Sequence, residues 1–428
     1  MNSFTDLREK CILYLKDKSI HQIILAFTIG VALFELGAII LINRFNNNES
    51  KAYALCEKNF NNQQYATAVK YLKGFVKKFP ESEKVMDAMY SLAISHQNRE
   101  DFSAESKVWQ QIIKYNNPID PKLVQEAYYR LGICQEKLGN INFALKSYET
   151  ASKDGPNISI MSNALLNVGR LYEKQNLDSK ATLVYRLVMQ KFPKEKSAQE
   201  AANKLGNLNL KHLLSEYQTA YRVKKGDNLT SIAKRFDTTI AAIMKANELS
   251  DTSIKIGMKL KVPKVRFSID VGIEDKLVYL IYNGYIVKQY RIATGALDTP
   301  TPTGDFSIIN KEKNPVWYSP DGPIPPDDPR NQLGTRWMGI ENEETRKRGL
   351  GIHGTIAPET IGQDVSDGCI RLRNEDVEEL FDLISIGNTV RIAARLEPSP
   401  WYSWVDEIEN EDNNTISKNR QRLTSQKH

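Results

Sequence analysis

The tripeptide Lys-Phe-Pro occurs at 78–80 and again at 191–193, and between those points small and aromatic residues return every thirty-seven to thirty-nine positions. One copy carries Leu55, Cys56, Ala68, Leu72 and Pro80, and the next Leu92, Ala93 and Trp109. A third has Tyr128, Leu131, Gly132, Ala144, Tyr148 and Ala151; a fourth has Val168, Gly169, Tyr172, Ala181, Tyr185 and Pro193. A unit of this length has room for two helices and a turn. Small residues at fixed positions let paired helices approach, and large ones fill the space between units. Four copies exceed the roughly three that a stable stack needs, so residues 50–210 are expected to form an all-α solenoid. The aromatic positions are read as core.

Ahead of the repeats, Ile23 to Ile42 is an apolar run of membrane-spanning length, broken only by Glu35. Arg8, Lys10, Lys16 and Lys18 stand against Asp6, Glu9 and Asp17, a small positive bias that points residues 1–18 inward. No small-residue cleavage site follows the run. Residues 19–43 are therefore expected as an uncleaved single-pass anchor in a cytoplasmic membrane, with most of the chain outside it. The alternative is a buried helix. A net charge of +6 over 428 residues suits an exported protein near anionic polymers, but no basic helix or stacking pattern supports nucleic-acid binding. Residues 406–428 are polar and expected to be disordered.

The four cysteines divide by setting. Cys11 precedes the apolar run, while Cys56 and Cys134 fall at packed positions of the repeats and read as small hydrophobes. A bridge between those two would join different repeats and is not expected. Cys369 is left over. It lies sixteen residues after His353, within Gly351-Ile-His-Gly-Thr355 and Ser366-Asp-Gly-Cys-Ile-Arg371. A thiol nucleophile needs a base in reach and backbone amides aimed at the developing oxyanion, and glycines let the chain approach closely enough to supply both. The segment reads as thiol acyl transfer: Cys369 attacks, His353 moves the proton, and Gly368 presents the Cys369 amide as oxyanion donor. Ser366 supports the turn; Gly354 and Thr355 shape the base loop. Arg371 either binds a substrate carboxylate bidentately or pairs with Asp367 or Asp376 to hold the loop. No spacing supports zinc and no glycine–lysine loop supports a nucleotide, so neither metal nor cofactor is expected.

Around this segment the chain is strand-rich. Leu277 to Leu280, Ile286 to Tyr290, Phe306 to Ile309 and Thr389 to Ile392 are short β-prone runs, and Asn283-Gly284 is a two-residue hairpin signal. Asn374 to Leu383 reads as a helix with Asn374 as its N-cap and Val377, Leu380, Phe381 and Ile384 as its apolar stripe. The proline-rich run Pro320 to Pro329 is a loop, either a flap over substrate or a plain insertion.

Residues 267–393 resemble the L,D-transpeptidase (YkuD-type) catalytic domain. The likeness rests on the two motifs above, Lys276-Leu-Val-Tyr-Leu280 and Tyr282-Asn-Gly-Tyr-Ile-Val287, Ala293-Thr-Gly295, Thr299-Pro-Thr-Pro-Thr-Gly304 and Asn331-Gln-Leu-Gly-Thr-Arg-Trp337. It implies attack of Cys369 on a peptide stem between diaminopimelate and D-alanine, release of D-alanine, and a 3-3 peptidoglycan cross-link. It also implies substrate binding by Arg371, Gly354, Thr355 and Trp337. The family usually has histidine where this chain has Asp367, which leaves that position's part in steadying oxyanion or substrate open.

Tyr221-Arg-Val-Lys-Lys-Gly-Asp-Asn-Leu229, Ile240 to Asn247 and Leu260-Lys-Val-Pro263 give strand, helix, helix, strand and resemble a LysM domain, which binds N-acetylglucosamine-containing glycans. The likeness implies a groove at Gly226, Asp227, Asn228, Leu229 and Thr230, facing Asn247, Leu249 and Ile254. The helical units resemble tetratricopeptide repeats, whose concave face would dock an envelope protein. The expected fold is thus multidomain: an all-α tetratricopeptide-like solenoid, a small βααβ LysM module over 219–264, and a mainly-β L,D-transpeptidase domain with one or two helices over 266–395. Its partners would be peptidoglycan glycan strands and stem peptides, and the membrane through residues 23–42. The alternatives are an L,D-carboxypeptidase or a wall-protein attachment enzyme using the same acyl-enzyme, or a non-catalytic peptidoglycan-binding scaffold.

Overall fold

Residues 20–115, 120–342, 344–346, 349–397 and 399–405 are described by a computed structural model of the chain, which falls into two units, 1–161 and 162–428. The N-terminal segment 1–18 with Cys11, and the expected tail 406–428, lie outside the described residues.

The first unit is helical. Its helices are α1 (Ile20–Asn61), α2 (Tyr65–Lys78), α3 (Val85–Gln97), α4 (Phe102–Ile113), α5 (Pro121–Lys137) and α6 (Ile141–Ala151). Asp101 caps α4 by accepting the Ala104 N–H at 3.1 Å, and Asp120 caps α5 by accepting that of Lys122 at 2.9 Å, with Pro121 in the first turn. Cys56, Ala68, Leu72, Ala93, Trp109 and Cys134 share one buried core. Gly132 of α5 shows why the repeat keeps a residue without a side chain there: a Cβ would lie 2.6 Å from the Tyr148 ring of α6. The Tyr148 hydroxyl donates to Glu136 at 3.2 Å.

In the second unit the rest of α7 (Ile158–Lys174), α8 (Asp178–Lys191) and α9 (Lys196–Glu216) repeat that arrangement. A Cβ on Gly169 would lie 2.5 Å from the Tyr185 ring, and the Tyr185 hydroxyl donates to Glu173 at 2.7 Å. Each of these three residues stands thirty-seven positions after its counterpart.

The apolar run does not behave as a span. It is the N-terminal part of α1, and no helix among the described residues is long and apolar enough to cross a membrane. Beyond the run the same helix turns amphipathic, burying Cys56 and Asn59 while Glu57 and Lys58 are exposed. The expected single-pass anchor, the membrane contact through residues 23–42 and the cytoplasmic-membrane location built on them are overturned.

The LysM region is βααβ. Strand β1 (Gln218–Arg222) pairs antiparallel with β2 (Lys259–Pro263), and α10 (Leu229–Arg235) and α11 (Ile240–Ala246) lie between them in sequence. Leu229, Ile232, Ile243, Leu260 and Val262 form its core.

The catalytic region is built on an eight-stranded mixed sheet. Its strands are β3 (Ser268–Gly272), β4 (Leu277–Tyr282), β5 (Tyr285–Arg291), β7 (Gly304–Lys313), β10 (Arg336–Asn342), β11 (Leu350–His353), β13 (Ile370–Arg371) and β14 (Thr389–Ala393), ordered β13-β11-β10-β7-β14-β3-β4-β5. Asn283 and Gly284 close the β4–β5 hairpin with φ of 49° and 81°, the left-handed pair that a two-residue turn demands. Beyond β5 the chain crosses to the opposite edge. There Ala293 and Arg371 exchange two backbone hydrogen bonds, both 2.9 Å, which curls the sheet on itself. Short β6 (Thr294–Gly295) pairs with β12 (Asp364–Ser366) beside this closure. Helix α12 (Asn374–Leu383) buries Val377, Leu380 and Phe381 in the core. The proline-rich loop makes its own ribbon from β8 (Trp317–Ser319) and β9 (Gly322–Ile324). Asn331 pins its base, donating to the carbonyls of Pro315, Ile324 and Pro325.

Two glycine substitutions should move stability in opposite directions. Gly169→Val forces a branched side chain into the Tyr185 ring and is expected to cost about 2 kcal/mol or more. Gly74→Ala, in the middle of α2 with open space around it, should stabilise by roughly 0.5–1 kcal/mol. Calorimetric melting of the two variants against the parent checks both signs.

Candidate active site

The register of β11 on β13 decides which side chains meet. The two strands run parallel with Ile352 opposite Ile370 and His353 opposite Arg371. Ile352 and Ile370 both point into the core. Side chains alternate along a strand, so His353, Arg371 and Cys369, one step before β13, share the other face. Opposite Cys369 stands Gly351. A Cβ there would fall 2.4 Å from the Trp337 ring, which lies over this glycine and stacks on the His353 imidazole at 5.8 Å between centroids. Trp337 is steadied in turn by Asn310, whose side-chain oxygen accepts from Trp337 Nε1 at 3.1 Å and from the Gly339 N–H at 3.0 Å.

His353 is only 2% exposed. Its Nδ1 lies 2.7 Å from the Gly354 carbonyl oxygen, and because a carbonyl only accepts, Nδ1 carries the proton. Burial pushes the imidazole down to about 4; the Gly354 and Leu333 carbonyls oppose this, and the Arg371 charge adds to it. Burial pushes the Cys369 thiol up, against a lowering by the Gly351 backbone and by Arg371, while Asp367 raises it further. Both groups therefore rest neutral near pH 7.

The loop that delivers Cys369 is tied at several points. Ser366 is buried; its hydroxyl donates to the Cys369 carbonyl at 2.6 Å and accepts from the Gly368 N–H at 3.3 Å. The Ser366 carbonyl takes the Ala296 N–H at 2.8 Å and the Thr299 hydroxyl at 2.9 Å. Gly368 has φ of 101° and faces Leu350 and Pro300, so the turn needs glycine. At the far end Asp364 takes the Lys276 ammonium at 2.5 Å and the Thr294 hydroxyl at 2.6 Å.

Arg371 pairs with neither Asp367 nor Asp376. It donates to Gln332 Oε1 at 3.2 Å, and its Nε is buried without a partner. Asp367 is exposed. Thr355 is buried and its hydroxyl accepts the Ala357 N–H at 3.1 Å. Gln332 had no role of its own in the sequence reading, and Asn374 was read there only as a helix cap. Asn374 is not an N-cap: Arg373 holds that position, and Asn374 accepts backbone N–H groups of Thr335 and Thr355 instead. Flanking glycines at 334 and 354 were the only signal in the chain that a polar group must seat there.

In the LysM region several expected groove residues have structural work. Asp227 accepts the Tyr221 hydroxyl at 2.6 Å and the Lys224 N–H at 2.8 Å, and Asn228 caps α10 with Ser231. Leu229 is core, with Leu249 and Ile254 packed against it. Asn247 exchanges two hydrogen bonds with the Lys261 backbone, at 2.6 and 2.8 Å. Gly226, at φ 88°, and exposed Thr230 are left facing solvent.

Among the described residues no group of acidic, histidine or cysteine side chains is placed to hold a metal. A cleft of about 480 Å³ lined by β3, β4 and β5 and by Arg395, Leu396, Glu397, Ser399 and Trp401 includes none of the residues around Cys369.

The family model of the L,D-transpeptidase catalytic domain (YkuD) matches residues 266–392, that of the LysM domain 221–263, and that of a tetratricopeptide repeat 29–82. The last match begins inside the apolar run. YkuD of Bacillus subtilis (strain 168), an L,D-transpeptidase by name, is 36% identical over 178 residues, 40% of this chain and 97% of its own. YqjB of the same strain, also so named, is 43% identical over 113 residues, 26% of this chain and 63% of its own. The NMR structure of the catalytic domain from the E. faecium L,D-transpeptidase overlays with a TM-score of 0.24 at 27% identity, over 30% of this chain and 96% of that one.

The neutral resting pair has a direct consequence. Alkylation of Cys369 by iodoacetamide, followed by mass spectrometry of its peptide, should keep accelerating above pH 9 without a plateau near neutrality. Arg371→Gln removes a charge that lowers the thiol and should slow alkylation further at any given pH.

Proposed function

The chain belongs to the L,D-transpeptidase (YkuD) family, and we propose that it joins peptidoglycan stems through a thioester on Cys369. The observation that carries this is the β11–β13 register, which puts Cys369, His353 and Arg371 on one face with the imidazole proton held on Nδ1. His353 Nε2 then takes the thiol proton as Sγ attacks the carbonyl between diaminopimelate and terminal D-alanine. Burial disfavours both a lone thiolate and a lone imidazolium, so proton transfer and attack proceed together. Ser366 engages the Gly368 N–H, which leaves the Cys369 N–H as the oxyanion donor. The imidazolium returns its proton to the departing D-alanine amine, and the carbon–nitrogen bond breaks. A diaminopimelate side-chain amine attacks the thioester and gives up a proton to Nε2, and the thiol is restored as the 3-3 bond forms.

Arg371 suits the donor stem carboxylate, because a guanidinium held by one neutral amide and carrying a buried, unpartnered Nε gains most from an anion. The LysM region, through Gly226 and Thr230 and the turns around them, would hold glycan strands while the stem reaches Cys369. Asp367 faces solvent beside the thiol, where a carboxylate supplies no oxyanion donor.

The full chain is to be incubated with diaminopimelate tetrapeptide muropeptides and the products resolved by mass spectrometry. Cross-linked dimer with loss of D-alanine is expected, and Cys369→Ala should abolish it. Tripeptide alone would mean a carboxypeptidase; no Cys369-dependent product would sink the reading in favour of a wall-binding scaffold. Arg371→Gln should raise KM for the tetrapeptide by about ten- to a hundred-fold, as the loss of a charged hydrogen bond implies.

A further inference from the structure

We propose that Asn374 is a positioning residue that sets the protonation and orientation of the His353 imidazole through a single peptide group. Its side-chain oxygen accepts hydrogen bonds from the Thr335 and Thr355 N–H groups, both at 3.2 Å. The Thr355 N–H and the Gly354 carbonyl belong to one planar trans peptide, in which they point in opposite directions. That carbonyl is the group 2.7 Å from His353 Nδ1. Asn374 Oδ1, the Thr355 N–H, the Gly354 carbonyl and the Nδ1 proton thus form one chain in which each bond polarises the next. Drawing on the peptide N–H makes the Gly354 oxygen a better acceptor. The proton is then held on Nδ1, and Nε2 is left as the basic nitrogen. Thr355 is 3% exposed and His353 2%, so water offers neither group a substitute partner.

The surroundings are shaped for that oxygen. A Cβ on Gly354 would lie 2.1 Å from Asn374 Oδ1, and one on Gly334 2.3 Å from it. Gly334 also holds φ of 64°, a conformation that side chains other than asparagine and aspartate rarely adopt. The second bond, to Thr335, ties the same acceptor to the start of β10, the strand that brings Trp337 onto the imidazole face. Asn374 itself opens α12, which Val377, Leu380 and Phe381 anchor in the core. One side chain on a rigid element therefore fixes both the ring's hydrogen-bond acceptor and the strand stacked against it.

The proposal rests on His353 serving Cys369 as its base, so its first readout is independent of turnover. The full chain is labelled at histidine with nitrogen-15, and the His353 imidazole is followed by NMR in the parent, Asn374→Leu and Asn374→Asp, with His353→Gln assigning the signal. The parent and Asn374→Asp should hold the Nδ1–H tautomer. Asn374→Leu should mix the two tautomers, and the carboxylate of Asn374→Asp should raise the imidazole pKa. On muropeptides, kcat of Asn374→Leu should fall on the order of tenfold or more at unchanged KM, with Asn374→Asp within a few-fold of the parent. A pure Nδ1–H signal in Asn374→Leu, or equal kcat losses in both variants, would overturn the proposal and leave Asn374 a packing residue. Should Asn374→Leu not fold, an unmoved His353 pKa in Asn374→Asp overturns it equally. Tautomer changes in a protein whose parent makes no product would uphold the positioning role and remove the transpeptidase reading alone.

Discussion

Two residues of β13 lie along the end of β11, and the direction of every side chain around Cys369 follows from that pairing. A two-residue parallel contact is weak by itself, because it supplies little of the ladder and packing that make a sheet stable. Its hold comes from outside. Arg371 is clamped on its other side by Ala293, the Leu372 N–H donates to the His353 carbonyl at 2.9 Å, and Ile370 is buried in the shared core. Parallel strands also need a long crossover, and residues 354–369 provide it without a long helix. That crossover is fastened by Asp364 to Lys276 and Thr294 and by Ser366 to Ala296 and Thr299. The curl of the sheet is thus the condition for the site: without the Ala293–Arg371 contact, neither edge would reach the other.

The electrostatics follow from the same enclosure. Burial works against charge on both His353 and Cys369, in opposite directions of pKa, so the pair keeps its proton on sulfur until a substrate arrives. Arg371 lowers both groups. It makes the thiol more acidic and the imidazole less basic, which leaves the difference between them less altered than either one. Its guanidinium donates to the neutral Gln332 side chain, and its Nε is buried without a partner. Replacing the customary histidine by Asp367 places a solvated carboxylate beside the thiol, and the loop geometry does not depend on it, because Ser366 and Gly368 carry the turn.

Much of this was legible because local chemistry demanded particular residue types. Gly-Cys after Ser366 and His-Gly after Gly351 mark a tight turn and a strand end, Asn283-Gly284 can do little but turn, and the helix at Asn374–Leu383 shows its apolar stripe. What escaped was long-range. Nothing near Asn374 in sequence says that its oxygen faces residues 335 and 355, and a polar residue before an apolar stripe reads as a cap. Gln332 gains meaning only once β13 brings Arg371 beside it. The groove residues of the LysM region were chosen by likeness, whereas the fold uses Asp227, Asn228 and Asn247 to hold its own turns. The apolar run misled for another reason: hydropathy counts side chains without asking whether the helix carrying them continues, amphipathic, into a packed repeat.

Within the second unit, the helix Lys196–Glu216 and the sheet share one core. Helix α9 ends the helical array, yet its Leu210, Leu213 and Leu214 lie in the same core as the sheet. Asn209 donates to the Val287 carbonyl at 3.2 Å, and Gly206 leaves room for the stem of Lys288. The Lys288 ammonium, on a residue only 7% exposed, meets Asn207 at 2.6 Å and Glu379 of α12 at 2.5 Å. A buried ammonium is costly unless paired and hydrogen-bonded, and its two partners come from different regions of the chain. The satisfied charge therefore requires α9, β5 and α12 to be assembled together. Since α12 also presents Asn374 to the loops around His353, the helix Lys196–Glu216 is tied, through the Lys288 ammonium and its hydrogen bond to Asn207, to the element that orders the active site.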